Sequence, residues 1–254
     1  MLPGSRAGGK HFPLSALVLD WLPMPNLTVL NDQIISCSRC PRLVVYREAI
    51  ARSKRRQFRD WTYWGRPVPG FGDPNARLFV VGLAPAAHGG NRTGRVFTGD
   101  RSGDWLYEAL HRFGFSNQPH STHRDDGLRL VDCYVSATVR CAPPGNKPSV
   151  EEFDACRPYL LEELRLLRKL RVVVTLGKIA FDQYLKACRE LSHPVPSPLP
   201  PFGHGVLYRL PWNVTLIGSY HPSQQNTFTG KLTKPMFHSV FRQARKHLAE
   251  RGNG

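Results

Sequence analysis

Arg77-Leu-Phe-Val-Val-Gly82 and, later in the chain, Arg171-Val-Val-Val-Thr-Leu-Gly177 are short, unbroken apolar runs closed by glycine. Apolar and polar residues do not alternate along them, which predicts strands covered on both faces. Leu128 to Val139, Val206–Leu210 and Val214–Ser219 read as further strands. Helical patterns lie between them. Ser102 to Phe113 carries Trp105, Leu106, Ala109 and Leu110 on one side. Ser149 with Glu152 three residues on is a capping box, opening a helix to about Lys169. Lys178 to Glu190 follows, and a basic helix from about Thr233 to Glu250 closes the chain. Strands alternating with helices predict an α/β fold, a three-layer αβα sandwich with a mainly parallel sheet. Residues 1–30 read as an extension, and 31–250 as one domain.

The 254 residues hold 35 Lys and Arg against 19 Asp and Glu, a net charge of +16. A hydrophobic share of 41% excludes a wholly disordered polycation. No apolar run reaches the ~18 residues of a membrane span. Phe12 to Leu22 follows Arg6 and Lys10 as a secretory signal would, but Asp20 interrupts it and no small-residue cleavage site follows. The expectation is a cytoplasmic protein. The positive surplus calls for a polyphosphate partner, because each phosphate neutralised releases condensed counterions. Arg52, Lys54, Arg55, Arg56 and Arg59, followed by Trp61, Tyr63 and Trp64, form the densest basic and aromatic stretch.

Six cysteines are too few for a disulfide scaffold. Cys37 and Cys40 form a C-x2-C pair, a common holder of soft metals. Cys141 and Cys156 flank Pro143-Pro144-Gly145-Asn146 and the start of a helix. Four thiolates suit zinc or an iron–sulfur cluster, and spacing alone does not choose between them. Four inert buried cysteines are the plainer alternative. Cys133, in a strand, and Cys188, in a helix, read as core.

Two polar loops follow strand ends, where open α/β sheets place their ligands. The first, Ala87 to Gly103, is rich in glycine and arginine but fits neither a Walker pattern nor G-x-G-x-x-G, which disfavours nucleoside triphosphate chemistry. Its Asp100 precedes a helix and reads equally as an N-cap or as a catalytic acid. The second places His221 before Pro222, Ser223, Gln224, Gln225, Asn226 and Thr227, and ends in Thr229-Gly-Lys-Leu-Thr233, suited to phosphate contact. The two loops are expected to meet across one crevice.

Cys37-x2-Cys40, Gly82-Leu-Ala-Pro-Ala86, Gly94-Arg-Val-Phe-Thr-Gly-Asp100, Val139-Arg-Cys-Ala-Pro-Pro-Gly-Asn-Lys147 and His221-Pro-Ser-Gln-Gln-Asn226 together resemble the uracil-DNA glycosylase superfamily. The likeness is to its family 5, the iron–sulfur branch, over about residues 33–248. It implies a uracil-DNA glycosylase-like sandwich on a central, mainly parallel four-stranded sheet, and a [4Fe–4S] cluster on Cys37, Cys40, Cys141 and Cys156. It also implies hydrolysis of the glycosidic bond of a damaged base extruded from the duplex. Asp100 then stabilises the oxocarbenium-like sugar or orients water, His221 hydrogen-bonds the departing base, and Asn146 helps position water or substrate. Gly82, Ala84, Pro85, Ala86 and Phe97 line the base pocket, with Phe97 stacking on the ring. Ser223, Gln224, Gln225 and Asn226 belong to the loop that wedges into DNA.

The related family 4 carries Glu after the first glycine of its first motif, where this chain has Leu83, and a base-reading Asn where this chain has Ala137. A missing amide loosens discrimination. The implied substrates are uracil, ethenocytosine, hydroxymethyluracil and hypoxanthine in double-stranded DNA. No lysine is placed for a Schiff base, which implies a monofunctional enzyme, with no nucleotide cofactor, no membrane partner, and a monomer near the bacterial nucleoid. Two readings compete: an iron–sulfur protein that binds DNA without cutting it, and a zinc-stapled nucleotide-binding enzyme.

Overall fold

The computed structural model of the protein describes residues 26–250. Most of the expected N-terminal extension, residues 1–25, lies outside them. The described chain begins with α1 (Leu27–Ile35), capped by Asn26, whose Oδ1 accepts from the amides of Thr28 and Val29. Helix α2 (Pro41–Ser53) follows, with proline in its first turn.

Six strands form one sheet: β1 (Phe71–Gly72), β2 (Leu78–Gly82), β3 (Cys133–Ala137), β4 (Val172–Leu176), β5 (Leu207–Leu210) and β6 (Val214–Ser219). Their order is β1-β3-β2-β4-β6-β5. The central four, β3, β2, β4 and β6, are parallel. The expected four-stranded sheet is therefore its core, and the count is corrected to six by antiparallel edges, β1 on β3 and β5 on β6. The strand expected over Leu128 to Val139 is shorter. Asp132 adopts a left-handed φ of 56°, which regular strands exclude, and the ladder starts at Cys133.

The continuous apolar runs have their reason in the layers. Leu78, Val80, Val172 and Val174 pack on one face against α4 (Arg101–Arg112) and α8 (Lys234–Glu250), through Leu106, Leu110, Phe237 and Phe241. Phe79, Val81 and Val173 face the other layer, made by α1, α5 (Val150–Leu166) and α6 (Lys178–Glu190). The Ser149–Glu152 capping box is present, and α5 ends at Leu166, where Leu167 turns away at ψ 65°. Arg140 and Glu163 form a fully buried bidentate ion pair at 2.6 and 3.0 Å, joined by Ser136. No helix among the described residues is long and apolar enough to cross a membrane.

Candidate active site and cysteine cradle

At the carboxyl end of β2 the chain runs through Leu83-Ala84-Pro85-Ala86 into a single helical turn, α3 (Gly90–Thr93). The exits of β2 and β3 are zipped together by Thr138 N–H to Gly82 O and Val139 N–H to Leu83 O, both 2.9 Å. Beyond α3 the loop is pinned from behind. Arg95 donates to Asp126 at 2.7 Å and Ser121 at 2.8 Å, and the buried Tyr107 hydroxyl donates to Val96 O at 2.8 Å. Phe97 takes a left-handed φ of 52°, and its ring lies over Gly82, where any side chain would collide with it. Across the crevice the ring meets the His221 imidazole, centroids 6.0 Å apart and tilted by 33°.

Asp100 is the N-cap of α4: its Oδ1 accepts from Gly103 N–H at 3.0 Å. Oδ2 rests against Gly89. Burial pushes the carboxyl above its ordinary range, opposed by the amides of Gly103 and Ser102. Asp100 therefore caps the helix through Oδ1, while Oδ2 lies over Gly89.

His221 follows β6. Burial lowers its imidazole to about 4, so the ring is neutral at pH 7. Asn226 holds the backbone here, its Nδ2 donating to His221 O at 2.9 Å. Ser223 in turn caps α7 (Gln224–Phe228) through Asn226 N–H. Gly177, at φ 100°, leaves the space beside the His221 Cβ, 3.5 Å from where its own would stand. Gln224 and Gln225 are exposed.

The two loops thus converge as expected, and a contact that sequence reading missed completes the meeting. The Arg101 guanidinium, beside Asp100, lies 4.4 Å over the Phe228 ring, and Phe228 is 67% exposed at the end of α7. An apolar residue in a short polar loop is its only signal. Asn146 is not brought into contact with Asp100 or His221. It stands exposed on a 3-10 turn at φ 56°, with no side-chain hydrogen bond among the described residues.

Cys37, Cys40, Cys141 and Cys156 line one cavity with Leu43, Arg47 and Arg140. Arg47 Nη1 donates to Cys141 Sγ at 2.9 Å and to Cys37 O at 3.3 Å, and Arg140 N–H donates to Cys156 Sγ at 3.3 Å. The buried Arg47 Nε has no partner. Burial raises the thiols, Cys141 to about 11 and Cys156 to about 12, against the pull of these arginines. Among the described residues no three His, Cys, Asp or Glu side chains gather as a single ion requires. Four sulfurs around a cavity, with N–H donors aimed at two of them, fit a larger thiolate-bound group. The cradle also touches the Asp100 loop, because Asn91 Nδ2 on α3 donates to Arg47 O at 3.1 Å. Cys133 and Cys188 are core residues, as expected.

A family model described as the uracil DNA glycosylase superfamily matches residues 69–245. The chain is 53% identical over 218 residues to the Type-5 uracil-DNA glycosylase of Mycobacterium tuberculosis (strain CDC 1551 / Oshkosh), covering 85% of this chain and 80% of that one. With the Type-5 uracil-DNA glycosylase of Thermus thermophilus it shares 50% over 215 residues, 84% of this chain and 94% of the relative. With the Type-4 uracil-DNA glycosylase of Pyrobaculum aerophilum the identity is 32% over 167 residues, 65% and 66% of the two chains.

Proposed function

Because the chain belongs to the uracil-DNA glycosylase superfamily and is a DNA glycosylase, a hydrolase of N-glycosyl bonds, we propose that it is a monofunctional enzyme of base excision repair acting on uracil, ethenocytosine, hydroxymethyluracil and hypoxanthine in double-stranded DNA. The observation that carries this reading is the crevice itself: Phe97 and the Asp100 carboxyl in the loop on one side, the neutral His221 facing the Phe97 ring on the other.

A base inside the stack is out of reach, so the nucleotide is extruded into the crevice. Phe97 supports the flipped ring by stacking. As the glycosidic bond breaks, its electron pair leaves with the base and the sugar becomes oxocarbenium-like. Asp100, ionised, stabilises that cation and orients the water that adds to it. Neutral His221 donates an N–H to the departing base, where negative charge develops. Asn146 is free on its turn to reach water or substrate. Gly82, Ala84, Pro85 and Ala86 shape the pocket wall. Ala137 presents no amide at the end of β3, which favours a broad substrate range.

Neither lysine near the crevice suits a Schiff base: Lys231 lies 5.1 Å over the Tyr220 ring, and Lys234 is 3.9 Å from Glu108. The product is an intact abasic site. Phe228, with Gln224 and Gln225, is the wedge that enters the duplex. Cys37, Cys40, Cys141 and Cys156 would hold a [4Fe–4S] cluster, which pins the N-terminal helices to β3 and α5. The enzyme works as a cytoplasmic, nucleoid-associated monomer and uses no nucleotide cofactor.

Incubation with duplex oligonucleotides carrying one uracil tests the reading. Wild type is expected to leave alkali-labile sites and Asp100→Asn to lose most of them. Equal cleavage by both would move the catalyst elsewhere, and tight binding without cleavage would favour the non-catalytic DNA-binding alternative.

A further inference from the structure

Beside the crevice lies a second cavity, of about 320 Å³, lined among others by Trp64, Arg66, Arg92, Thr93, His123 and Arg124. Its floor is Arg92, a residue of α3, only 4% exposed. The guanidinium is clamped between two rings, 3.8 Å from the Phe58 centroid and 4.1 Å from that of Trp61. Nε donates to His88 O at 2.8 Å and Nη2 to Gly99 O at 2.9 Å. Nη1 has no hydrogen-bond partner and no carboxylate lies within ion-pair distance of this arginine among the described residues; Asp100 is the acid whose charge it feels from further off. Above it stands the Trp64 ring, fixed by its indole N–H to Pro67 O at 3.0 Å. Arg124 lies 4.6 Å and Arg66 5.8 Å from the Trp64 ring centre. Arg66 has no acidic partner among the described residues. Arg124 and His123 share only the exposed Asp125, at 3.5 Å each.

Three guanidinium groups around one cavity repel one another. They are held there by aromatic faces and carbonyls, and among the described residues the exposed Asp125 is the one acid within ion-pair reach of them. A fixed, under-neutralised fork set of this kind is built to receive an anion with several acceptor oxygens. The cavity opens beside α3, at the carboxyl end of β2, on the edge of the sheet where the crevice lies.

We propose that this cavity is a phosphodiester site for the DNA strand, distinct from the base pocket, with Arg66, Arg92 and Arg124 as its donors. The proposal rests on the reading that the substrate is DNA, and deepens it by placing the strand on the Trp64 side of the Asp100 loop.

The test uses the whole protein and a duplex bearing one 2′-fluoro-deoxyuridine, whose glycosidic bond resists hydrolysis. Binding is followed by fluorescence anisotropy from 50 to 200 mM salt. The double variant Arg66→Gln/Arg124→Gln, at exposed positions, is expected to weaken binding about tenfold at low salt and to reduce the salt slope by about 1. Arg168→Gln/Lys169→Gln, before the amino end of β4, is expected to leave both unchanged. Inorganic phosphate, at ionic strength matched with chloride, is expected to compete with DNA in wild type and not in the Arg66/Arg124 variant. An unchanged slope in that variant, or an equal loss in the Arg168/Lys169 control, would overturn the site. Phosphate competition without any change in DNA affinity would overturn its assignment to the strand. If wild type released no uracil while the slope difference persisted, the glycosylase reading would fall and the phosphate site would stand.

Discussion

Asp100 Oδ2 occupies the space that a side chain on residue 89 would fill: a Cβ there would collide with the carboxyl oxygen and crowd Ala86. The carboxylate proposed as catalytic is thus placed by the absence of an atom on α3's threshold, while its other oxygen is tied to Gly103 N–H. Gly89→Ala must turn the carboxyl or break its cap. Since a displacement of about 1 Å costs on the order of 10² in rate, single-turnover uracil release should fall by that order. Thermal unfolding should move far less than the rate does.

The pH profile should separate the two crevice residues. On the proposed mechanism Asp100 acts ionised, and burial raises its carboxyl, so release should climb with pH along a limb above the ordinary carboxylate range. His221 is neutral above about 4, so no inflection is expected near its free-solution value of 6.5. The sign for stability is the reverse of a salt-bridged histidine's. A lowered folded-state value means that the native protein resists protonation, so stability is intact above 6.5 and is lost as pH falls towards 4, by up to roughly 3 kcal/mol. Urea midpoints at pH 7 and pH 4.5 should diverge more in wild type than in His221→Gln. An inflection near 6.5 that disappears in that variant would contradict the burial argument.

Phe228 projects an apolar ring into solvent, with the Arg101 guanidinium over its face. If it fills the gap left by the extruded nucleotide, Phe228→Ala should lower release from duplex roughly tenfold, because unstacking costs a few kcal/mol that the wedge offsets. Release from a single strand, already unstacked, should change by less than about twofold. Equal losses on both substrates would assign the ring to the crevice wall instead.

Removing a sulfur from the cradle should act on the scaffold before the chemistry. Cys156 sits on α5 and accepts from Arg140 N–H, next to the buried Arg140–Glu163 pair. With the proposed [4Fe–4S] cluster in the cradle, Cys156→Ala is expected to bleach the visible absorption that the cluster would give, to cost several kcal/mol in urea unfolding, and to weaken DNA binding. The single-turnover rate of the complex that still forms should stay within a few-fold of wild type. A rate that collapses while stability and affinity hold would give the cradle a direct part in the reaction.

What could be read in the sequence was what local rules encode. The runs at Leu78–Gly82 and Val172–Leu176 are covered on both faces, and the Ser149–Glu152 capping box and the limits of α6 follow from side-chain chemistry within one turn. The missed elements lack such a signal. Strand β1 is two residues long and exists because Phe71 and Gly72 find β3. Helix α1 buries Leu27, Leu30 and Ile34 at helical spacing, but it follows a stretch rich in glycine and proline. At the site, motif order brought Asp100, Phe97 and His221 to one crevice. The second role of Asp100 as cap was one of two readings, and the structure shows the cap. The stacking of Arg92 between Phe58 and Trp61 joins residues more than thirty positions apart, and no local pattern announces it.

The walls of the crevice are written 121 residues apart, at Asp100 and His221, whereas the cradle is complete once Cys156 has been made. During synthesis the chain therefore acquires its cysteine clasp, its three-arginine cavity and its acid well before the ribosome reaches β6. A product terminated between the two would lack β6, α7 and α8, and with them the histidine loop, the exposed Phe228 ring and the helix that covers one face of β2 and β4. Such a product would leave an apolar sheet face bare, so the grip on DNA and the chemistry would be lost together, and no half-made chain would hold a lesion that it cannot clear.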